Sequence, residues 1–599
     1  MRETNNPFQI TTPEDLTAQE TVSLFVDVLT DFQKIIDPGH VFLIGPRGTG
    51  KSMMFRFLQP DCQCLDKQCR LKELPFLGIY VPLKDTNFTL AELKRVEHRH
   101  ASEILNEHIL VTHFCMKIFN SLAKPEICEH DTELNESLRR FYENTFVPLF
   151  CNVPLDDQEK LLLASYDSET ILKIMSTVAE KAYREAFSFT KALAFRTDLI
   201  PYEGPLFDYS GYLLPLLSAI SKLSGFPSGP VYLLVDDAHW LGETQAQVLN
   251  SWVATRTSRT VSLKISTQYN YKTYYTVTGA TIDTPHDFME IDISTIYTGN
   301  SKSKYRDRIE DIVNKRLEAF GIKDISAQQF FPDDEEQEAK IKQIEEGYKK
   351  QHDAGKGRGY YRSDDALRYA RPDFIKSLAG QRKSSYSYSY AGFNQLVNLS
   401  SGIVRHFLTP AHLMYAETKS RSGGDDIRCI PPSIQDEIIR EEANCCKFEN
   451  IERLLQEGHA DSPPKQDIER LSNLIEGLGG LFRQILLSDR SERRVFSIAF
   501  SDKPSEIVER ILNLGVQLGY FQKSTIGRKD SRSGGRTRLF VLNRRLAPLW
   551  TLDPNGFSGY LFVTNALVEE AMQQPISLLR RIVRDGLPDG SGPVQLELF

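Results

Sequence analysis

The stretch of sequence that decides the fold is Gly45-Pro46-Arg47-Gly48-Thr49-Gly50-Lys51-Ser52. It has the form G-x-x-x-x-G-K-S. It lies between a short apolar run, Val41–Ile44, and residues 53–58, which can continue as a helix. A strand before the glycines and a helix after them is the context that this motif requires. The stretch therefore predicts a P-loop, in which backbone N–H groups surround the phosphates of a nucleotide.

The residue types in this loop suit phosphate chemistry. Lys51 supplies a positive charge to the β- and γ-phosphates, and the hydroxyl of Ser52 is a ligand for Mg²⁺. The alternative, a glycine-rich turn without a ligand, is weakened by the strand and the helix on either side. The residues expected to bind the nucleotide are Gly45, Pro46, Arg47, Gly48, Thr49, Gly50, Lys51, Ser52 and Met53.

A pair of acids follows another apolar run, residues 231–235. In a P-loop protein, an acid at the end of a buried strand holds Mg²⁺, which is the role we expect for Asp236. Asp237 is then placed to orient or deprotonate the attacking water. The alternative is that both aspartates cap the turn at residues 238–241. His239 stands beside them, and we expect it to pack or to form hydrogen bonds rather than to carry chemistry.

Five apolar runs with helical segments between them indicate an α/β domain with a parallel sheet. The run at residues 231–235 is fully apolar, as expected for a strand of a parallel sheet that is buried on both faces. A long helical insertion, about residues 90–220, separates the second run from the third. The five runs are residues 41–44, 76–81, 231–235, 261–265 and 289–293.

Composition excludes several classes of protein. The chain has 599 residues and a formal net charge of −8, so a nucleic-acid contact has to come from a local basic patch. The first residues have no apolar core typical of a signal peptide, and no apolar run approaches the roughly 18 residues that a membrane span needs. We therefore expect a cytoplasmic protein. Cys62, Cys64 and Cys69, with His98 and His100, lack the spacing of a zinc site, which favours ordinary reduced thiols.

A basic stretch follows a predicted helix at residues 505–518. It contains eight cations and the single acid Asp530, and glycines make its centre flexible. Such a ribbon suits contact with DNA phosphates, while a solvated hairpin or a protein contact is the alternative. The helix has few side chains that read bases, so sequence-specific recognition is not expected. We assign DNA binding to Lys523, Arg528, Lys529, Arg532, Arg536 and Arg538; the other two cations are Arg544 and Arg545.

The order of these parts over about residues 5–560 resembles the AAA+ class, and within it the origin-recognition-like ATPases of archaea and bacteria. The P-loop and the acid pair carry this resemblance, together with two further positions. Thr267 and Gln268 end a strand where that class keeps its first sensor, and Arg405 looks like the sensor arginine of the helical lid. The resemblance implies ATP between core and lid, with Gln268 in the catalytic set and Arg405 touching the γ-phosphate. A strand-end polar residue and a surface arginine are the respective alternatives.

The same resemblance implies the domain organisation. An AAA+-like core spans residues 1–298 with the insertion at about 90–220, and a helical lid spans 299–420. We read the charged residues near 332–336 and the Ser/Tyr run at 384–390 as an insertion or mobile loop in that lid. A linker at 419–432 leads to a winged-helix domain at 433–560, and residues 561–599 form a tail.

Two positions depart from the AAA+ pattern. Asp237 stands where that class usually has glutamate, and the shorter side chain predicts slow hydrolysis. No arginine occurs from residue 260 to residue 305, where an arginine finger would be expected, and Arg256 and Arg259 are the nearest substitutes. The chain is thus expected to use ATP and Mg²⁺ mainly as a conformational switch.

The resulting functional hypothesis is an ATPase that couples its nucleotide state to DNA or to a partner protein. We expect a homo-oligomer or a separate effector partner, and no membrane association. Proteins of this kind often belong to antiphage or mobile-element systems. The alternative is a STAND-type scaffold, which assembles with ATP and activates a separate effector. A GTPase is disfavoured because the chain has no Asn-Lys-x-Asp motif.

Overall fold

The structure of the chain is a computed structural model. Its residues form two compact units. The N-terminal unit comprises Thr11–Gly45 and Gly50–Ile293, and the C-terminal unit comprises Met1–Ile10, Pro46–Thr49 and Ser294–Phe599. The structure describes residues 6–27, 32–84, 93, 101–124, 127, 132–150, 157, 166–195, 201–255, 260–293, 305–379, 387–423, 427–456, 463–527, 536–555, 559–586 and 592–595.

A five-stranded parallel sheet organises the N-terminal unit. Its strands lie in the order β2-β3-β4-β1-β5, and every neighbouring pair is parallel. This confirms the predicted α/β class and the five apolar runs, whose ends differ from the prediction by two residues at most. The strands are β1 (Val41–Ile44), β2 (Leu77–Pro82), β3 (Val231–Asp236), β4 (Val261–Thr267) and β5 (Met289–Asp292).

The position of β1 in this order explains where a ligand can bind. The chain leaves β1 for β2 on one side, and after β4 it reaches β5 on the other side of β1. In open α/β sheets, ligands bind beyond the carboxyl ends of the strands at such a change of direction. The loop that follows β1 therefore lies at the preferred edge of the sheet.

Helices cover the sheet and bury its apolar side chains. Ala101–Leu122 and Ser168–Leu193 lie in the predicted helical insertion, and they contribute Phe114 and Met175 to the same hydrophobic core as β2 and β3. The Phe114 ring meets the Trp252 ring edge-on, with centroids 5.1 Å apart. The helices of this unit are Ala18–Leu24, Phe32–Ile36, Lys51–Phe57, Pro60–Lys67, Ala101–Leu122, Thr132–Phe141, Val147–Phe150, Ser168–Leu193, Leu214–Ile220 and Glu243–Ala254.

Helices form most of the regular structure of the C-terminal unit. Its helices are Tyr305–Ala319, Ala327–Phe330, Glu335–Asp353, Asp364–Ala379, Phe393–Leu399, Val404–Ser422, Pro432–Asn444, Asn450–Gln456, Lys465–Leu487, Glu506–Gln517, Asn565–Gln573 and Pro575–Asp585. No helix in the described part of the chain is long and apolar enough to cross a membrane.

The charged segment that we read as an insertion or mobile loop is in fact ordered. Glu335–Asp353 is a helix of 19 residues, and the side chain of Asp334 caps its first turn by accepting the N–H of Gln337. A mobile loop was the wrong expectation, because only a narrow stripe, including Ile341, is buried and the sequence of this helix is almost entirely polar. That the segment is an insertion remains a prediction. In the Ser/Tyr run, Tyr388 and Tyr390 are buried, while residues 384–386 lie outside the described residues.

A second sheet of five strands closes the C-terminal unit. It has the order β10-β9-β6-β8-β7; β6 pairs in parallel with β9, and the other pairs are antiparallel. β7 and β8 form the predicted two-stranded hairpin after the helix Glu506–Gln517. The strands are β6 (Val495–Phe500), β7 (Phe521–Gly527), β8 (Arg536–Leu542), β9 (Gly559–Val563) and β10 (Gly592–Gln595).

The domain boundaries drawn from the sequence remain predictions. The proposed linker at 419–432 begins inside the helix Val404–Ser422, and the segment predicted as a tail contains most of β9 and two helices. The first of those two helices is bonded to the preceding part of the unit, since the side chain of Asn473 donates to the carbonyl of Met572 at 3.0 Å.

A lysine is completely buried within the sheet of the N-terminal unit. Lys264 on β4 is 0% exposed, and its Nζ donates to the carbonyls of Asp37 (2.6 Å) and Gly39 (2.8 Å). The ammonium also lies 4.6 Å from the centre of the Tyr232 ring. Burial lowers the pKa of Lys264 to about 7, with Asp37 opposing the shift. Burial, assisted by the charge of Lys264, likewise lowers the pKa of His40 to about 4.

This burial makes stability depend on pH. Between pH 7 and the ordinary lysine pKa of 10.5, the unfolded chain binds a proton at Lys264 that the folded chain does not, so stability rises with pH. Lys264→Met removes this contribution. The difference in Tm between wild type and Lys264→Met should therefore increase steadily in favour of the wild type as the pH is raised through this range. Lys272→Met, which replaces an exposed lysine, is the control. If the difference in Tm from wild type is independent of pH for both variants, the assignment of the pH dependence to Lys264 is contradicted.

Candidate functional site

The P-loop begins at the edge of β4. The N–H of Gly45 donates to the carbonyl of Thr267 at 3.3 Å, which extends the pairing of β1 with β4 by one residue. Gly50 has a φ of 98° and precedes the helix Lys51–Phe57 directly. An L-residue with a side chain rarely adopts this φ, which is the physical reason for glycine at this position of the motif. The strand, loop and helix that the motif requires are all present.

The side chain of Lys51 lies against its own loop. It is only 6% exposed, and its Nζ donates to the carbonyl of Gly45 at 2.8 Å. This bond places the ammonium beside the first residue of the loop. Ser52 and Met53 are half-buried in the first turn of the same helix.

Asp236 is a buried carboxylate held by three donors. Its Oδ1 accepts from the hydroxyl of Ser266 and from the N–H of Asp237 (3.1 Å). Its Oδ2 lies 2.9 Å from the hydroxyl of Tyr80, which is also 2.6 Å from Oε1 of Glu14. Burial and the two carboxylates raise the pKa of Tyr80 far above its ordinary range, so the phenol keeps its proton and remains a donor.

Asp237 and Gln268 are linked through His239. The Nε2 of His239 lies 2.8 Å from the amide nitrogen of Gln268, and its Nδ1 lies 3.7 Å from Oδ1 of Asp237. Since an amide nitrogen can only donate, Nε2 of the imidazole accepts, and Nδ1 carries the proton that faces Asp237. The side chain of Asp237 is 29% exposed and that of His239 is 8% exposed. His239 thus forms a hydrogen bond to Gln268, and its Nδ1 faces Asp237 at 3.7 Å, which is longer than a direct hydrogen bond; we call this arrangement the His239 bridge.

Sequence reasoning missed three groups around Asp236. Ser266 directly precedes the predicted sensor positions on β4, so its place at a strand end was a usable signal. Tyr80 has a polar group in an otherwise apolar strand, which is a weaker signal. Nothing local marks Glu14, because it lies in a short helical turn, Pro13–Asp15, far from the strands in sequence.

In the C-terminal unit, Arg405 is bound to the tip of the P-loop. Its backbone N–H donates to the carbonyl of Gly48 at 3.1 Å, at the start of the helix Val404–Ser422. Gly48 has a φ of 90°, and a Cβ placed there would lie 2.5 Å from the Cβ of Arg405. Glycine is therefore required by conformation and by close approach. The side chain of Arg405 is half-buried, whereas Arg47 in the P-loop is exposed.

The segment before Arg405 contacts the β7–β8 hairpin. Ser401, which has a φ of 52°, accepts from the side chain of Gln522 on β7 through its carbonyl at 2.7 Å. The Oγ of Ser401 accepts from the N–H of Arg544, just after β8, at 2.9 Å. One short segment, residues 401–405, therefore bonds to the P-loop tip at one end and to the basic hairpin at the other.

The described part of the basic ribbon is smaller than the sequence indicated. Lys523 and Arg538 stand on β7 and β8, and Arg538 lies 3.4 Å from Glu509. Burial, and then the charge of Arg538, lower the pKa of Lys523. Arg544 is 4% exposed, so it belongs to the interior rather than to the ribbon, and Arg545 pairs with Glu442 at 3.2 Å. For Arg536 the structure gives the pairing with Gly527 alone.

Several predicted residues lie outside the described residues. These are the ribbon cations Arg528, Lys529 and Arg532, and the suggested arginine fingers Arg256 and Arg259. Their assignments remain predictions.

The helix beside the hairpin has little to offer a DNA groove. Arg510 pairs with Asp467 at 2.9 Å, and Glu509 with Arg538 at 3.4 Å, so two of its polar side chains already have protein partners. Glu506 adds a further negative charge to the exposed surface. These contacts are consistent with the expectation that the chain does not read base sequence.

The cysteine cluster contains three free thiols. Cys62, Cys64 and Cys69 are not in disulfides, and burial raises the pKa of Cys64 to about 11. Among the residues that the structure describes, no group of three or more potential metal ligands occurs. His98 and His100 lie outside them.

The chain matches the model of a known protein family. The family described as ORC-CDC6-like matches residues 6–562, which is nearly the whole chain. No curated protein and no solved structure matches significantly.

The bridge through His239 leads to a test. In His239→Ala, Asp237 loses the N–H that faces it and Gln268 loses its acceptor, so ATP turnover should fall at least about tenfold while ATP binding is retained. Asp237→Asn should reduce turnover about 100-fold or more, because the predicted interaction with the attacking water is removed. Turnover is measured by phosphate release, and ATP binding by calorimetry.

The control is His286→Ala, which replaces an exposed histidine of the same unit. Wild-type turnover in His239→Ala would show that the bridge has no part in hydrolysis.

Proposed function

Because the chain belongs to the ORC-CDC6-like family, we propose that it is a slow, switch-like ATPase whose nucleotide state controls engagement of DNA. Membership places the chain in the AAA+ ATPase class in general, which uses a nucleotide and Mg²⁺. The observation that carries the more specific proposal is the pair of contacts made by residues 401–405. They connect the P-loop tip at Gly48 with the basic hairpin at Gln522.

Phosphate binding falls to the P-loop. The backbone N–H groups of the loop surround the phosphates, and the Lys51 ammonium, held beside Gly45, neutralises charge on the β- and γ-phosphates. A hydroxyl and a carboxylate, those of Ser52 and Asp236, are the oxygen ligands that Mg²⁺ prefers. Bound there, the ion would neutralise charge on the β- and γ-phosphates. Ser266 and Tyr80 support this proposal, since they orient the Asp236 carboxylate through hydrogen bonds.

Hydrolysis is assigned to Asp237 and its neighbours. Asp237 orients the attacking water and accepts its proton as the water oxygen bonds to the γ-phosphorus and the bond to the β-phosphate oxygen breaks. Gln268 orients the His239 ring through a hydrogen bond, and Nδ1 of that ring faces the Asp237 carboxylate at 3.7 Å. An aspartate reaches less far than the glutamate usual in this class, which supports slow turnover and a switch rather than a motor.

Coupling follows from the short segment 401–405. Its bond to Gly48 connects the start of the helix Val404–Ser422 to the loop tip. Its bonds to Gln522 and Arg544 connect the same segment to β7 and to the residues just after β8. A change at the loop tip therefore has a direct hydrogen-bonded route to the hairpin. Contact of Arg405 with the γ-phosphate would provide the difference between ATP and ADP, because a ligand shifts an equilibrium only through differential affinity.

The DNA contact is assigned to the β7–β8 hairpin with the helix Glu506–Gln517, acting as a winged-helix module. Its cations would bind phosphates without reading sequence. A setting in antiphage defence or in a mobile element is the biological context that the resemblance favours. The ATP-dependent scaffold with a separate effector is the competing function, and two experiments separate it from the switch.

The first experiment tests the hairpin. Lys523→Ala/Arg538→Ala should weaken binding to duplex DNA and reduce the slope of log affinity against log salt by about 0.9 for each phosphate that is no longer neutralised. Arg528→Ala/Lys529→Ala/Arg532→Ala should reduce the slope by up to about 2 to 3. Affinity is measured by fluorescence anisotropy over a range of salt concentrations. Lys465→Ala/Lys503→Ala, two exposed lysines of the same unit, is the charge-matched control. An unaltered slope in both hairpin variants would place the DNA surface elsewhere.

The second experiment tests coupling. Wild type should bind duplex DNA with different affinities in ATP and in ADP, and Gln522→Leu should bring the two affinities together because the bond to Ser401 is removed. Lys51→Ala should show no effect of nucleotide at all. Gln517→Leu is the matched control, since this exposed glutamine lies on the adjacent helix.

If Gln522→Leu keeps the full difference between ATP and ADP, the route through residues 401–405 is wrong. Light scattering will show whether the wild type forms oligomers that depend on ATP. If it does, and if the DNA affinity of these oligomers is the same in ATP and in ADP, the scaffold function replaces the switch.

A further inference from the structure

Two tyrosine rings project from a turn in the C-terminal unit. The helices Glu335–Asp353 and Asp364–Ala379 form a helical hairpin, and residues 354–363 are its tip. Tyr360 is 86% exposed and Tyr361 67% exposed, with ring centroids 5.0 Å apart and planes at 84°. Each ring therefore presents much of its surface to solvent. Large aromatic side chains are usually buried, so two exposed neighbours indicate a binding surface rather than a contribution to the core.

The same tip also contains cations. Residues 354–363 include Lys356, Arg358 and Arg362 and no acid, while Asp353 precedes them and Asp364 and Asp365 follow. Asp353 is paired with Arg362 through two short hydrogen bonds from the guanidinium, at 2.8 Å each. The carboxylate of Asp365 is buried, so the exposed cations Lys356 and Arg358 stand next to the exposed rings. This combination suits a polyanion that also has flat aromatic groups.

Hydrogen bonds hold the tip in a defined shape. The N–H of Arg358 donates to Asp365 at 2.6 Å, and the N–H of Tyr361 donates to Asp364 at 2.9 Å. A Cβ at Gly359 would lie 2.3 Å from the Cβ of Asp364, so only glycine allows this close approach. The tyrosines are thus presented by an ordered turn, which lowers the entropy cost of binding through them.

The two helices give that turn a firm base. Nη2 of Arg371 donates to both carboxylate oxygens of Glu338, at 2.9 and 2.8 Å, across the helical hairpin. The rings of Tyr348 and Tyr369 lie 5.8 Å apart between the helices. Substitutions at Tyr360 or Tyr361 therefore remove solvent-facing groups without disturbing these contacts.

We propose that the tip of the helical hairpin binds single-stranded nucleic acid, with Tyr360 and Tyr361 stacking on unpaired bases and Lys356 and Arg358 contacting phosphates. Rings stack on bases only where the base faces are open, which a duplex does not allow along its length. The shared chemistry is an unpaired base on a phosphodiester backbone, found in both single-stranded DNA and RNA. This inference does not rest on the role proposed for the β7–β8 hairpin.

The test uses the full-length protein with labelled oligothymidine, oligouridine and a duplex of the same length. Wild type should bind the single strands, and Tyr360→Ala/Tyr361→Ala should weaken that binding roughly fivefold or more for each stack removed. Tyr360→Phe/Tyr361→Phe should keep the affinity, because stacking needs the ring and not the hydroxyl. Leu367→Ala, an exposed apolar residue of the same helical hairpin, is the control.

Binding to the duplex separates this inference from the proposed function. The double alanine variant should bind the duplex as wild type does, whereas Lys523→Ala/Arg538→Ala should lose duplex affinity. Preference for one of the two single strands would identify DNA or RNA as the source of the bases. Unchanged affinity of Tyr360→Ala/Tyr361→Ala for both single strands would overturn the inference, as would an equal loss of affinity in the phenylalanine variant.

A second variant keeps the inference testable if the alanine variant fails to fold, as judged by its Tm. Lys356→Ala/Arg358→Ala should reduce the salt slope for single strands by about 0.7 for each phosphate that is no longer neutralised. An unchanged slope would overturn the assignment of these cations and leave the rings without a phosphate partner at the tip.

Discussion

Parallel pairing of β1 with β4 is the constraint on which the N-terminal unit depends. Ile44 stands opposite Thr267, and the N–H of Gly45 then donates to the Thr267 carbonyl. Because β3 pairs with the other edge of β4, Asp236 arrives beside Ser266 at the same end of the sheet. One register thus sets the start of the P-loop, the end of the acid strand and the polar end of β4. A shift of one residue would turn each of these side chains to the opposite face.

Burial fixes the positions of the polar side chains at this edge of the sheet, because each buried group needs hydrogen-bond partners. Asp236 is 1% exposed, and a buried carboxylate is stable only with hydrogen-bond donors around it. Ser266 and Tyr80 supply them, and Tyr80 has a single proton between Asp236 and Glu14. The demand for donors at the Asp236 carboxylate therefore connects β3 to β2 and β4, and the Tyr80 hydroxyl also contacts Glu14 in the turn Pro13–Asp15. The same demand for partners explains why Lys264, also on β4, lies against two carbonyls.

In the C-terminal unit, the segment 401–405 has an unusual concentration of constraints. Ser401 and Gly402 both have positive φ, and backbone or side-chain hydrogen bonds leave the segment toward Gly48, Gln522 and Arg544. Left-handed backbone at a non-glycine residue costs free energy and persists where the surrounding contacts determine it. A segment held in this way responds as a unit, which suits the coupling that we propose between loop tip and hairpin.

The amino-acid sequence by itself determined the five strands, the P-loop and the acid pair at Asp236. Apolar runs and glycine spacing depend on one element at a time, so they can be read without knowing the neighbours. The helix Glu335–Asp353 was missed for the related reason that its buried stripe is too narrow to give a strong period. Only the tertiary structure decided which distant groups meet: Tyr80 reaches Asp236 across 156 positions of sequence, and His239, in the turn after β3, forms a hydrogen bond to Gln268 just after β4. It also decided that Tyr388 and Tyr390 are buried while Tyr360 and Tyr361 are exposed, because burial depends on what the rest of the chain places over a side chain.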